Sequence, residues 1–306
     1  MWGILTALLS GALMSIQGVF NTNLTKQTSL WLATGWVQIT AFLICVGAWF
    51  FTGREPIGKL MTAEPKYILA GGVIGAFITI TVIQSMAGLG PAKAAMLIVI
   101  SQLVVAYLIE LLGIFGMEKA SFEWRKVIGM AVAIGGIILS ISFIPRFGLI
   151  TGLAYGFFHS ISAFCNAGFD LMGSISGQFS SLTSLYDNSL VMITVSLLII
   201  LGGLGYPVIL DVLHTRSLKK LTIHSKLVIT STIILLLIGF VFILWVEYNN
   251  PDTLGNMDMK GKLLSSMFQT TTLRTAGFNS IDLSLTKEPT ILLMVILMLI
   301  GDSPAS

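Results

Sequence analysis

Residues 162–170 read SAFCNAGFD, and residues 271–279 read TTLRTAGFN. The tripeptide Ala-Gly-Phe therefore occurs twice, with Gly168 and Gly277 separated by 109 positions. Each copy follows an apolar run of about three helical turns, residues 152–164 and 261–273. Such a run is far shorter than the roughly 20 residues needed to cross a hydrocarbon core.

The composition around these elements is that of a membrane protein. Of 306 residues, 55% are hydrophobic and 10% are charged, with a mean hydropathy of +0.92; soluble domains carry about 25% charged residues. Apolar stretches long enough to span occupy residues 4–20, 30–51, 67–86, 92–115, 127–144, 190–210 and 227–245, and an eighth runs over 291–300. The expected fold class is an all-α multi-pass membrane protein. The first stretch has no basic residue ahead of it and no small-residue cleavage site behind it, so a retained helix is expected instead of a signal peptide. Cys45 and Cys165 have no ligand cluster around them and imply neither a disulfide framework nor a metal site. A net charge of +3 points to no nucleic-acid partner, and the partner implied is the lipid bilayer.

Basic residues fall in alternate loops. Arg54, Lys59 and Lys66 form one group, Lys119, Arg125 and Lys126 a second, and Arg216, Lys219, Lys220 and Lys226 a third, while the alternate loops of the first half hold only Lys26 and Lys93 and the segment that follows it carries Arg146. By the positive-inside rule the N-terminus is expected in the cytoplasm of a cell-membrane protein. Both Ala-Gly-Phe elements then follow an outward crossing and precede an inward one. Short apolar segments that enter and leave by one face are re-entrant loops, and non-helical backbone at that depth must be buried in protein or line a watery path.

A helix entering from outside directs the negative end of its dipole toward the membrane centre, which favours a cation. The backbone that follows can turn its carbonyls toward a dehydrated ion, as in potassium filters. Gly168 and Gly277 supply the backbone freedom for that turn. One copy alone is an ordinary tripeptide at a helix end; two in the same topological setting indicate a repeated pore unit.

Residues from about 143 to 306 resemble the TrkH/KtrB family of potassium uptake subunits, specifically its Ktr branch. The residues that carry the likeness are FHSISAFCNAGFDLMG (158–173), ILGGLGYPVILDVLH (200–214), VEYNNPDTLG (246–255), TTLRTAGFNSIDL (271–283) and LMLIGDSPAS (297–306). The resemblance implies pore repeats of helix, pore loop and helix, with this sequence carrying the second and third filter elements: Cys165, Asn166, Ala167, Gly168 and Phe169, then Arg274, Thr275, Ala276, Gly277 and Phe278. It implies that Gly301, Asp302, Ser303 and Pro304 begin a gating loop, with Asp302 standing where the family keeps glycine. Potassium is the implied cargo, with sodium coupling left open and no cofactor. A homodimer and a cytosolic nucleotide-binding regulatory ring are the implied partners. Arg274, the one charge inside a filter element, is read either as buried beside the filter or as reaching the outer water.

Residues 1–142 contain no pore loop and resemble the YdcZ-like branch of the drug/metabolite transporter superfamily. That likeness rests on GILTALLSGALMSIQGVFNTNL (3–24), LGPAKAAMLIVISQLVVAYLIELLG (89–113) and WRKVIGMAVAIGGIILS (124–140), and it implies small-molecule export by a five-helix unit. Gln17, Gln102 and Glu110 are the candidate polar residues there, with Glu110 either coupling a cation or snorkelling to the interface. Near residue 142 the last helix of this half runs straight into the pore-like half. It takes the place of the outer helix of a pore repeat, and its packing surfaces are not expected to suit that role.

Three readings stay open: a cation-uptake subunit or part of one, a small-molecule exporter, and a join of two truncated transporters without activity of its own. With no nucleophile and base pair, metal-ligand spacing or phosphate loop, an enzyme is not expected.

Overall fold

A computed structural model describes residues 2–177, 180–215 and 217–301, without the side chains of Met61, Trp124, Ser174 and Leu218. All regular structure among the described residues is helical. Thirteen α-helices lie among the described residues: α1 (Trp2–Gln27), α2 (Leu30–Thr52), the single turn α3 (Lys59–Thr62), α4 (Gly71–Leu89), α5 (Pro91–Leu112), α6 (Trp124–Phe147), α7 (Leu149–Phe164), the single turn α8 (Gly173–Ser176), α9 (Ser189–Leu204), α10 (Tyr206–Thr215), α11 (Ile223–Glu247), α12 (Met259–Thr272) and α13 (Glu288–Ile300). Six helical segments are long and apolar enough to cross a membrane, as expected of a multi-pass membrane protein.

Their ends follow capping chemistry. Ser29, Asn188, Thr222 and Asp258 each turn a side-chain oxygen toward a backbone N–H in the first turn of α2, α9, α11 and α12, which satisfies donors that a helix cannot pair internally. Glycines at positive φ close others: Gly90 before Pro91, Gly148 between α6 and α7, and Gly205 between α9 and α10.

The stretch 190–210, expected as one span, is not one straight helix. The α9 and α10 axes meet at 90°. Gly205 adopts φ +79°, and Pro207 follows with no N–H to continue the α9 ladder, so the chain turns where hydropathy alone reads on.

The helices group into two compact units, residues 2–102 and 103–301 of the described chain, which divide within α5. In the first unit α1, α2 and α4 pack on one another. Gly18 lets α1 approach α4 closely, since an added Cβ would lie 2.5 Å from Met86 Cε. Most of the remaining apolar side chains of this unit are exposed, as lipid-facing helices require.

In the second unit α6 packs most extensively on α7 and also on α9. Added Cβ atoms would strike Phe157 at Gly136 and the Ile144 backbone at Gly152, both within 2.7 Å, and Ser140 Oγ at Gly156. Ser160 of α7 also donates to the Val132 carbonyl of α6 at 2.7 Å. The surfaces of α6 therefore do fit the pore-like half, contrary to the expectation from the join. The physical reason is the run of small residues on α6 and α7, which brings backbones close where lipid supplies no hydrophobic drive for association.

Two buried clusters frame the interior of this unit. One joins Leu139 and Phe143 of α6 to Val191, Met192, Val195 and Ile199 of α9, together with Phe268, Ala276 and Phe278. The other joins Ile243, Leu254, Leu273, Ile281, Met294 and Leu297. The Ala-Gly-Phe elements lie against these clusters.

Candidate functional site

Helices α7 and α12 have 16 and 14 residues, too few to span, and each delivers its C-terminal end to an Ala-Gly-Phe element. The two elements share one backbone pattern. Asn166 and Gly168 have φ of +50° and +69°, and Thr275 and Gly277 have +80° and +90°. Left-handed residues thus recur at the glycine and two positions before it in both copies. Asn is among the few non-glycine residues enriched in that region, whereas the β-branched Thr275 is an outlier there, and such strain concentrates at functional sites.

The amides of these segments fold back onto the preceding helices. Ala167 donates to the Ser162 carbonyl and Ala276 to the Thr272 carbonyl, both at 2.9 Å. The carbonyls of Cys165, Ala167, Gly168, Ala276 and Gly277 accept no hydrogen bond from another described residue. They are oxygens available to a cation, and the negative ends of the α7 and α12 dipoles lie beside them.

The elements also meet each other. A Cβ built on Gly168 would fall on the Ala276 carbonyl oxygen and lie 2.8 Å from Gly277 Cα. Beyond the filter, Asn279 donates its N–H to Ser181 Oγ and accepts from Leu182 N, both at 3.0 Å. Ser162 Oγ caps the Phe169 carbonyl at 2.8 Å.

Arg274 is 5% exposed; of its two readings, the buried one describes its position. Gly301 ends α13 with φ +64°, and a Cβ there would sit 3.6 Å from Thr275 Cγ2, which brings the start of the expected gating loop against the filter. Asp302, Ser303 and Pro304 lie outside the described residues.

Gln17 and Gln102 line one small cavity of about 110 Å³ in the first unit, with Asn21, Thr79, Met14 and Met86. Glu110 is elsewhere, half-exposed near the end of α5 with its carboxylate 3.8 Å from Lys126 Nζ. A pair so exposed contributes about 1 kcal/mol or less, and its position suits the interface.

The sequence reading missed two residues that organise the site. Glu247 is fully buried at the end of α11. Its Oε1 accepts from Lys287 N at 2.9 Å and Thr290 Oγ1 at 2.5 Å, and its Oε2 from Asn250 Nδ2 at 2.6 Å and Thr253 Oγ1 at 2.7 Å. It ties α11 to the following loop and to the first turn of α13. His159 is fully buried on α7, with its ring stacked on Phe278. Both lie within the quoted motifs, yet neither residue type announces its partners.

Residues 81–306 match the TrkH family, described as cation transport protein, and residues 2–139 match a family described as putative inner membrane exporter, YdcZ. The chain belongs to the TrkH family. That match begins upstream of residue 143, so the two family matches overlap across α4 to α6. Among curated relatives, Ktr system potassium uptake protein B of Bacillus subtilis is 39% identical over 194 residues, 63% of this chain and 42% of the relative. The protein of the same name from Vibrio alginolyticus is 42% identical over 187 residues, 60% of this chain and 40% of the relative. Potassium/sodium uptake protein NtpJ of Enterococcus hirae is 38% identical over 191 residues, 62% of this chain and 41% of the relative. The chain spans about 40% of the length of these TrkH-type relatives.

Proposed function

We propose that this chain is a cation-uptake subunit, or a part of one, that conducts potassium along the backbone carbonyls of residues 165–169 and 274–278. The observation that carries the reading is the repeated backbone: left-handed residues at the glycine and two positions earlier, a short helix ending before each copy, and carbonyls of Cys165, Ala167, Gly168, Ala276 and Gly277 that accept from no other described residue. A dehydrated cation needs oxygens on all sides to replace its water. Two elements form part of such a ring, and the remainder comes from a second copy in a homodimer or from further filter sequence. The work assigned to the chain is ion selection and passage, not enzymatic chemistry.

The proposed setting is the cell membrane with the N-terminus in the cytoplasm, as the basic loops indicate, and a cytosolic nucleotide-binding ring as the regulatory partner. The proposed organisation assigns residues 1–142 to a transporter-like unit and 143–306 to the pore region, with α6 serving both. The test is potassium-dependent growth of an uptake-deficient strain expressing the full chain, alongside G168S and G277S at matched membrane expression. Rescue that the substitutions abolish supports the reading, and rescue indifferent to both removes it.

A second reading, small-molecule export, draws on the cavity shared by Gln17, Asn21 and Gln102. Its neutral amides suit an uncharged polar solute. Q17A with Q102A in the full chain should abolish an export phenotype while leaving potassium-dependent growth unchanged; the reverse pattern excludes it.

A further inference from the structure

The two pore helices fasten their filters by the same backbone atom with different side chains. Leu171 and Ser280 occupy equivalent positions, each three residues beyond the filter glycine. In the first copy Leu171 N donates to His159 Nε2 at 3.4 Å. In the second, Ser280 N donates to Gln269 Oε1 at 3.3 Å. Both acceptors are fully buried, and each lies on the helix that precedes its own filter element.

The histidine's protonation follows from its neighbours. Nδ1 stands 2.7 Å from the Tyr155 carbonyl, which can only accept, so Nδ1 carries the proton and Nε2 presents a lone pair to Leu171 N–H. The ring also stacks on Phe278 of the second filter element, with centroids 6.3 Å apart and planes at 30°. Phe143 of α6 meets it edge-on at 5.5 Å. His159 thus holds the first element by a hydrogen bond and braces the second by its ring face.

We propose that His159 is a positioning residue for ion selection: its Nε2 fixes the strand leaving the first filter element, as Gln269 fixes the second, and so sets the placement of the carbonyls from Cys165 to Gly168. This rests on reading those residues as filter elements. It goes further in assigning the anchoring to one nitrogen of one side chain, with a glutamine as its equivalent in the other copy. At that nitrogen the required group is an acceptor, and neither an aromatic ring nor a bond to the helix substitutes for it.

Cys165 is an exposed thiol within the first element and Cys45 is the only other cysteine, so the full chain in membranes carries its own reporter once C45A is made. Asparagine places its amide near Nδ1 and preserves the Tyr155 bond; glutamine reaches the position of Nε2; phenylalanine keeps the ring alone. Modification of Cys165 by a methanethiosulfonate reagent should proceed in H159Q within about two-fold of the C45A parent. In H159N and H159F it should change by about three-fold or more, the scale of one hydrogen bond. Hydrogen exchange of the Leu171 amide should follow the same order.

Parent-like rates in H159N and H159F, or an H159Q rate displaced as far as theirs, overturn the assignment. If H159N and H159F fail to accumulate in membranes, H159Q decides alone, because it lacks the ring and retains the acceptor. Measuring the potassium-to-sodium uptake ratio on the same membranes separates the two proposals. Absent uptake in the parent counts against conduction by this chain, while the Cys165 rates still test the anchor.

Discussion

Gly168 and Ala276 are packed so closely that a Cβ on the glycine would clash with the alanine carbonyl oxygen. The glycine of one Ala-Gly-Phe element thus sets the clearance for a carbonyl of the other, a proposed ion ligand. Gly277, its counterpart by repeat, has only Gly168 Cα near a built Cβ, at 3.4 Å. The repeat is symmetric in sequence and asymmetric in its contacts.

G168S should therefore damage ion selection more than G277S. Both force a side chain into positive φ, at about 1–2 kcal/mol, but only the first must also displace the Ala276 carbonyl. In rubidium uptake at matched expression, the G168S defect should exceed that of G277S by about ten-fold, taking a further 1.4 kcal/mol for the displaced oxygen. Equal defects would contradict the asymmetry.

Removing the Glu247 carboxylate should loosen the C-terminal end of α11 and the first turn of α13, which it joins. E247A removes the acceptor of the buried Thr253 and Thr290 hydroxyls, of one Asn250 N–H and of the partly buried Lys287 N–H, at about 1–3 kcal/mol for each buried donor left unsatisfied. E247Q retains one oxygen and should lose less, and T290V, which removes a single donor, least. Thermal unfolding of the detergent-extracted protein should order them parent, T290V, E247Q, E247A.

Packing of α6 on α7 can be tested on glycines of the same pair. G156V must push aside Ser140 and the Gly136 carbonyl, and overpacking of this kind costs about 1–3 kcal/mol or more. G129A meets nothing within 4 Å and should be neutral or slightly stabilising, since alanine favours helix over glycine by about 1 kcal/mol. Comparable membrane yields of the two variants would mean that α6 is not a structural part of the pore-like half.

Asp282, outside the spans, is held below its ordinary pKa of 3.8 by Ser284, whose hydroxyl and backbone N–H both donate to it. A depressed carboxylate stabilises the fold above its unfolded pKa and loses that contribution as pH falls through the folded value. S284A should thus lower thermal stability slightly at pH 6, and the gap from the parent should close as pH falls through the lowered folded value. A gap that persists in acid would assign the effect to lost packing.

Membrane residence, the all-helical fold and six of the seven full apolar spans were legible in the sequence, because hydropathy is a sum over neighbours along the chain. The bend at Gly205 was partly legible: the glycine and Pro207 were there, but the apolar run continued through them. The repeat of Gly168 and Gly277 was visible in the sequence, and the left-handed backbone at Asn166 and Thr275 was not, since neither residue type requires it.

What only the tertiary structure decided is which groups meet across long separations. Glu247 lies 43 residues from Thr290, Ser181 lies 98 from Asn279, and His159 joins two filter elements that are distant in the chain. A buried polar side chain must find its partners wherever the packed helices place them. Their identity therefore depends on helix crossing and loop path, which local hydropathy does not encode. The small residues of α6 show the same division: their spacing was visible, but only the packed helices established that their surface fits α7.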